Sequence, residues 1–163
     1  MRIIETQIDI AASANRVWQI LTDFRAYPDW NPFITEIVGR PEQGARLRVR
    51  ICPPGRSAIT FKPIILVAAR EWELRWRSRR ILPGFFDSEH SFQIRTHGRS
   101  CRLRQSERFT GIMVRMIGDS LFDAMQQGFD EMNAALKLRA ETVSKDSPHL
   151  MRDSPALIND EHS

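Results

Sequence analysis

Between Ile3 and Ile10 the chain alternates. Ile4, Thr6, Ile8 and Ile10 fall on one face, and Glu5, Gln7 and Asp9 on the other. That period of two predicts a strand with one buried face. Ser13 can then cap a helix through its hydroxyl, and Val17, Trp18, Ile20 and Leu21 follow as an apolar helical stripe. The next ten residues, "DFRAYPDWNP" from Asp23 to Pro32, stop it. Pro28 and Pro32 lack an N–H, and each pushes the residue before it, Tyr27 and Asn31, out of the helical region. The chain must bend here, within one more helical turn of Asp23. Phe24, Tyr27, Trp30 and Phe33 recur every three residues and can fill the inside of the bend.

From Phe33 to Phe109 the period is mostly two. The pattern predicts strands near 33–39, 45–52, 57–68, 70–78, 86–96 and 101–110, with turn signals at Pro53-Pro54-Gly55 and His97-Gly98. Along 70–78, Trp72, Leu74 and Trp76 share one face, opposite Glu71, Glu73, Arg75 and Arg77. Arg46, Arg48 and Arg50 alternate with inward Leu47, Val49 and Ile51. One-sided strands joined by short turns imply an antiparallel sheet with one wet face. A long amphipathic helix is then predicted from about Val114 to Glu141, with Ile117, Leu121, Met125, Gly128, Met132 and Leu136 on its apolar side. Gly128 costs stability inside a helix, which suggests close packing or a bend. After Val143 the chain is polar and broken by prolines, with Asp146-Ser-Pro-His-Leu echoed at Asp153-Ser-Pro-Ala-Leu. The expected organisation is one folded domain over 1–143 and a disordered tail over 144–163.

Charge narrows the partners. The chain of 163 residues carries a net +4, almost all of its basic residues being arginines scattered without a dense run. Diffuse positive charge does not make a nucleic-acid site, and none is expected. The opening "MRIIETQIDI" is charged where a signal peptide needs an apolar run. The longest apolar stretch, "IILVAA" at Ile64–Ala69, falls far short of the ~20 residues of a membrane span. Cys52 and Cys101 show no metal-ligand spacing. These features predict a cytoplasmic protein with reduced thiols.

Common catalytic machinery is missing. There is no glycine-rich phosphate loop, no His-Glu-x-x-His, no Gly-x-Ser-x-Gly and no dinucleotide fingerprint. His90, His97, His149 and His162 lack ligand spacing, so no metal and no cofactor are expected. Polar residues on apolar faces say more. Strand 86–96 puts Phe86, Ser88, His90, Phe92 and Ile94 on one face; strand 101–110 does the same with Cys101, Leu103, Gln105, Glu107 and Phe109. If the two form a hairpin around His97-Gly98, any register with an odd sum of paired numbers puts both apolar sets on one side. His90 then faces Gln105 or Glu107. The three read either as a satisfied polar network or as groups that orient a ligand or move a proton. "RRILPGFFDSE", Arg79 to Glu89, is either a plug at the end of the core or a cavity mouth, a gate or tip in transient contact with a membrane.

The whole order, with "VWQILTDFRAYPDWNP", "EHSFQI", "SERFTGIM" and "FDEMNAALK", resembles the START-like, helix-grip superfamily (SRPBCC, the birch-pollen-allergen fold). Within it the chain is similar to the polyketide cyclase/dehydrase and lipid-transport branch over about residues 3–141. The resemblance implies an α+β fold: a curved seven-stranded antiparallel sheet wrapped around a long C-terminal helix, with two short helices after the first strand. It also implies an enclosed cavity, walled in part by the aromatic residues of the 23–32 elbow. The expected function is binding of a hydrophobic or aromatic small molecule, lipid- or polyketide-like, between sheet and long helix. The candidate contacts are Trp72, Leu74, Trp76, Phe86, His90, Phe92, Gln105, Glu107, Phe109 and Met125. One alternative is a cofactor-independent cyclase- or dehydrase-like enzyme using His90 and Glu107. Another is a protein-interaction module with a filled cavity.

Overall fold

The computed structural model describes residues 1–80 and 84–143. In chain order it has β1 (Arg2–Ile10), α1 (Ala14–Thr22), α2 (Tyr27–Trp30), β2 (Ile34–Val38), β3 (Arg48–Ile51), β4 (Ile59–Phe61), β5 (Ile64–Ala69), β6 (Glu73–Arg80), β7 (Phe86–His97), β8 (Ser100–Thr110) and α3 (Asp119–Val143). The strands pair antiparallel as β1-β8-β7-β6-β5 and β2-β3-β4. A bridge between Arg46 and Ile64 links the two ladders. So do backbone hydrogen bonds from Leu47 to Pro63 (2.8 Å) and from Ile65 to Ala45 (2.9 Å). β4 and β5 are the two halves of the predicted 57–68 strand. They part at Pro63, which has no N–H to give a ladder. The helix-grip sheet is therefore present, with one of its seven strands interrupted.

The predicted strand 45–52 shortens to Arg48–Ile51, and two further boundaries move. Strand 70–78 begins only at Glu73, because residues 69–73 make a tight turn. Trp72 N–H reaches Ala69 O at 3.0 Å, and Glu71 adopts φ 61°. One residue with positive φ breaks the alternation, so Trp72 is exposed while Leu74 and Trp76 stay in the core. The long helix begins at Asp119 and not near Val114; residues Ile112–Met116 form a 3-10 turn ahead of it.

α3 crosses β1, an edge strand whose backbone would otherwise be open to pairing. Side chains of the helix take up part of that edge. Lys137 Nζ donates to Asp9 O at 2.6 Å, and Ala11 N–H donates to the Glu141 carboxylate at 2.7 Å. Thr6 Oγ1 donates to Asp130 at 2.6 Å.

The proline elbow is a lock. Ser13 Oγ caps α1 by accepting from Arg16 N–H at 3.2 Å. Tyr27 is fully buried and donates its hydroxyl to Leu21 O at 2.9 Å; burial pushes its phenol far above the usual range. Asn31 Oδ1 accepts from the N–H groups of Phe33 (3.0 Å) and Ile34 (2.8 Å), launching β2. Phe33 reaches α3 at Gly128, where an added Cβ would lie 2.2 Å from its ring. Gly128 is there for close packing. Cys52 and Cys101 are both free, and burial pushes the Cys101 thiol up to about 11.

Candidate functional site

β7 and β8 adopt the register in which His90 faces Glu107, and Phe92 faces Gln105. Because strand residues alternate between faces, all four point to the side covered by α3. His90 is boxed by the rings of Trp76, Phe92 and Phe129 at centroid separations of 5.1, 4.6 and 5.0 Å. Gln105 Nε2 approaches His90 Nε2 at 3.1 Å and also donates to the Met132 sulfur at 3.6 Å. Which ring nitrogen carries the proton depends on how the Gln105 amide is turned, and the other nitrogen of the ring, Nδ1, faces Glu107. That Nδ1 lies 3.5 Å from Glu107 Oε2, a long contact by hydrogen-bond standards.

Glu107 is 5% exposed, and that remaining exposure opens into a cavity. The cavity has a volume of about 500 Å³ between the sheet and α3. Its sheet wall is Ser78, Phe86, Ser88, Glu107 and Phe109, with Ile51, Ile59 and Phe61 from β3 and β4; Met125 and Phe122 of α3 also line it. Among the described residues, Glu107 is the only charged side chain in the wall, and no hydrogen bond is made to its carboxylate.

The mouth is built from two segments outside the regular strands. Phe85 comes from the turn before β7, and Met113 and Ile117 from the 3-10 region before α3. Hydrogen bonds from Ile112 N–H to Gly84 O (3.1 Å) and from Met113 N–H to Phe85 O (3.2 Å) hold them together. Gly111 makes this approach possible: its φ is 112°, and a Cβ there would lie 2.5 Å from Phe85 O.

Of the residues proposed from the sequence, Phe86, Glu107, Phe109 and Met125 line the cavity. Leu74, Trp76, His90, Phe92 and Gln105 are buried behind it. Trp72 lies outside, 55% exposed on its turn with Arg95 over the ring. The elbow aromatics Phe24, Tyr27 and Trp30 are not among the lining residues; they pack α1 and α2 together. The candidate contacts did not include Ser78 and Ser88, Ile51, Ile59 and Phe61, or Met113, Ile117, Leu121 and Phe122; Phe85 lies in the 79–89 segment, one reading of which was a cavity mouth. The paired phenylalanines of "LPGFF" were the available signal. Ile81, Leu82, Pro83 and the 144–163 segment lie outside the described residues. Among the described residues no cluster of three metal-ligating side chains occurs, and no helix is long and apolar enough to cross a membrane.

A family model described as polyketide cyclase / dehydrase and lipid transport matches residues 1–141. A START superfamily protein from Mycobacterium smegmatis has a TM-score of 0.68 at 23% identity, covering 86% of this chain and 98% of that one. The Zhui aromatase/cyclase from a Streptomyces species has a TM-score of 0.70 at 20% identity, over 89% and 96% of the two chains. Norcoclaurine synthase from Thalictrum flavum, at 16% identity and over 88% and 96%, has a TM-score of 0.61. At these identities the likeness is one of fold. No curated protein matches the chain.

Proposed function

Because the chain belongs to the polyketide cyclase/dehydrase and lipid transport family, we propose that it binds a hydrophobic or aromatic small molecule in the cavity between sheet and α3. The observation that carries this reading is the cavity itself. Its volume of about 500 Å³ falls within the ~300–1,000 Å³ of small-molecule sites. Its wall is apolar apart from one carboxylate and two serines, the mix that binds by burial and orients by a few polar groups. Phe86, Phe109 and Met125 supply apolar contact and Glu107 the polar one, with His90 and Gln105 packed behind it. Exposed Ile112 and Met116 beside the mouth suit a transient contact with a membrane surface. A cytoplasmic location suits two free thiols.

A second reading makes the chain a cofactor-independent enzyme of cyclase or dehydrase type. It is favoured by the approach of His90 Nδ1 to Glu107 behind the cavity wall, a pair that could pass a proton to and from a bound molecule. A protein-interaction role fits less well. The sheet's outer arginines are largely engaged by carboxylates, as Arg75, Arg77 and Arg108 are by Glu89.

Native mass spectrometry of protein purified from its own host tests the binding reading. The expected result is a non-covalent adduct of small-molecule mass that leaves on denaturation. Bare protein, with no response to any apolar probe, would contradict it. Turnover of the released molecule by fresh protein would favour the enzyme.

A further inference from the structure

A carboxylate 95% shielded from solvent ordinarily has hydrogen-bond partners. Glu107 is 5% exposed, yet among the described residues no hydrogen bond reaches its carboxylate, and His90 Nδ1 stands 3.5 Å away. That contact is longer than a hydrogen bond, and the ring's other nitrogen is engaged by Gln105. No arginine or lysine lines the cavity among the described residues. The one guanidinium stacked on a wall ring, Arg2 over Phe122, is already paired with Asp119. The wall therefore presents one carboxyl group with spare acceptor capacity in an otherwise apolar space.

Resting on the reading that the cavity holds a small apolar molecule, we infer that this ligand carries a hydrogen-bond donor, neutral or cationic, at its buried end. An amine, alcohol or phenol placed against Glu107 gains a charge-assisted hydrogen bond, which is shorter and stronger than a neutral one. A carboxylate or phosphate of the same shape meets a like charge in a low-dielectric site and is repelled. Ser78 and Ser88 are cross-strand partners on the same wall, and they can take up a second polar group on the ligand. The site thus selects against free acids and phosphate-bearing lipids presented head first.

The test is a matched series on one skeleton: 2-naphthylmethylamine, 2-naphthylmethanol and 2-naphthoate, each displacing the neutral dye Nile red near neutral pH. The amine and the alcohol should displace the dye, and the naphthoate should be weaker by about tenfold or more. In Glu107→Gln the gap should close to within about threefold, because the acceptor remains and the charge does not. Equal affinities in the native protein, or tightest binding by the naphthoate, would overturn the inference and leave the cavity reading standing. Failure of the dye and of all three compounds to bind would overturn the cavity reading itself. A gap that persists in Glu107→Gln would also overturn the inference, since another group would then be the selector. If that variant does not melt cooperatively, Glu107→Met replaces it. If neither does, the ranking in the native protein decides.

Discussion

At Gly128 two residue-scale effects compete. Alanine is the better helix former by about 1 kcal/mol. An alanine Cβ there would sit 2.2 Å from the ring of Phe33, which is itself buried and edge-on to Phe129. Overpacking of this kind costs about 1–3 kcal/mol, so Gly128→Ala should lower stability by urea melt in spite of propensity; a higher midpoint would show that Phe33 can yield. His90 is the second case. The sequence pattern allowed it to be a wall contact, but it lies behind the wall between three rings. His90→Ala should therefore destabilise the fold by about 2–4 kcal/mol, through a lost ring and an unpaired Gln105. A melt unchanged by the substitution would return it to the cavity wall. Which face His90 and Glu107 occupy could be read from alternation and one turn. That Glu107 opens into the cavity and His90 does not could not be read, because alternation fixes the side of the sheet and not the depth.

At the scale of elements, the proline elbow shows how the reading of "DFRAYPDWNP" went half right. Spacing put the aromatics inside the bend, and Phe24, Tyr27 and Phe33 are buried, with Trp30 half-buried. Their role as cavity walls came from family resemblance alone, and the structure packs Phe24, Tyr27 and Trp30 on one another at the α1–α2 junction and Phe33 on α3. Tyr27→Phe removes the hydroxyl bonded to Leu21 O and leaves that carbonyl unpaired. It should cost about 1–2 kcal/mol with no change in dye affinity; a selective loss of binding would put the elbow back in the site. On the sheet's outer face, Glu89 of β7 meets Arg75 and Arg77 of β6 and Arg108 of β8. Burial works against its ionisation, but hydrogen bonds from Arg77 and Arg75 outweigh that and hold its carboxyl below the ordinary value. A depressed carboxylate contributes stability above its unfolded pKa and loses it as pH falls through the folded one. Glu89→Gln should thus cost about 1–2 kcal/mol near neutrality. The difference should shrink below about pH 4. A difference independent of pH would mean that the charge is irrelevant.

For the molecule as a whole, the order of strand, helices, sheet and long helix was legible because each element has its own period. The interruption at Pro63 and the turn at Glu71 were not, since the first hides inside a run that alternates on both sides. The second needs a backbone conformation that glutamate seldom adopts. The cavity was legible in part of its sheet wall, in Met125 of the helix and in the 79–89 segment as one reading of a mouth. Its mouth comes from residues 84–86 and 111–117, which follow no period, and their meeting depends on Gly111 lying against Phe85. The central claim is that the space enclosed by these parts holds a small apolar molecule. It is tested most directly by titrating Nile red into the native protein and into Ser88→Leu/Met125→Trp, which fills the cavity from both walls while the outer surface stays the same. The account predicts saturable binding by the native protein and at least about tenfold weaker binding by the filled variant, which should still melt cooperatively. Equal binding by the two would place the dye elsewhere and contradict it.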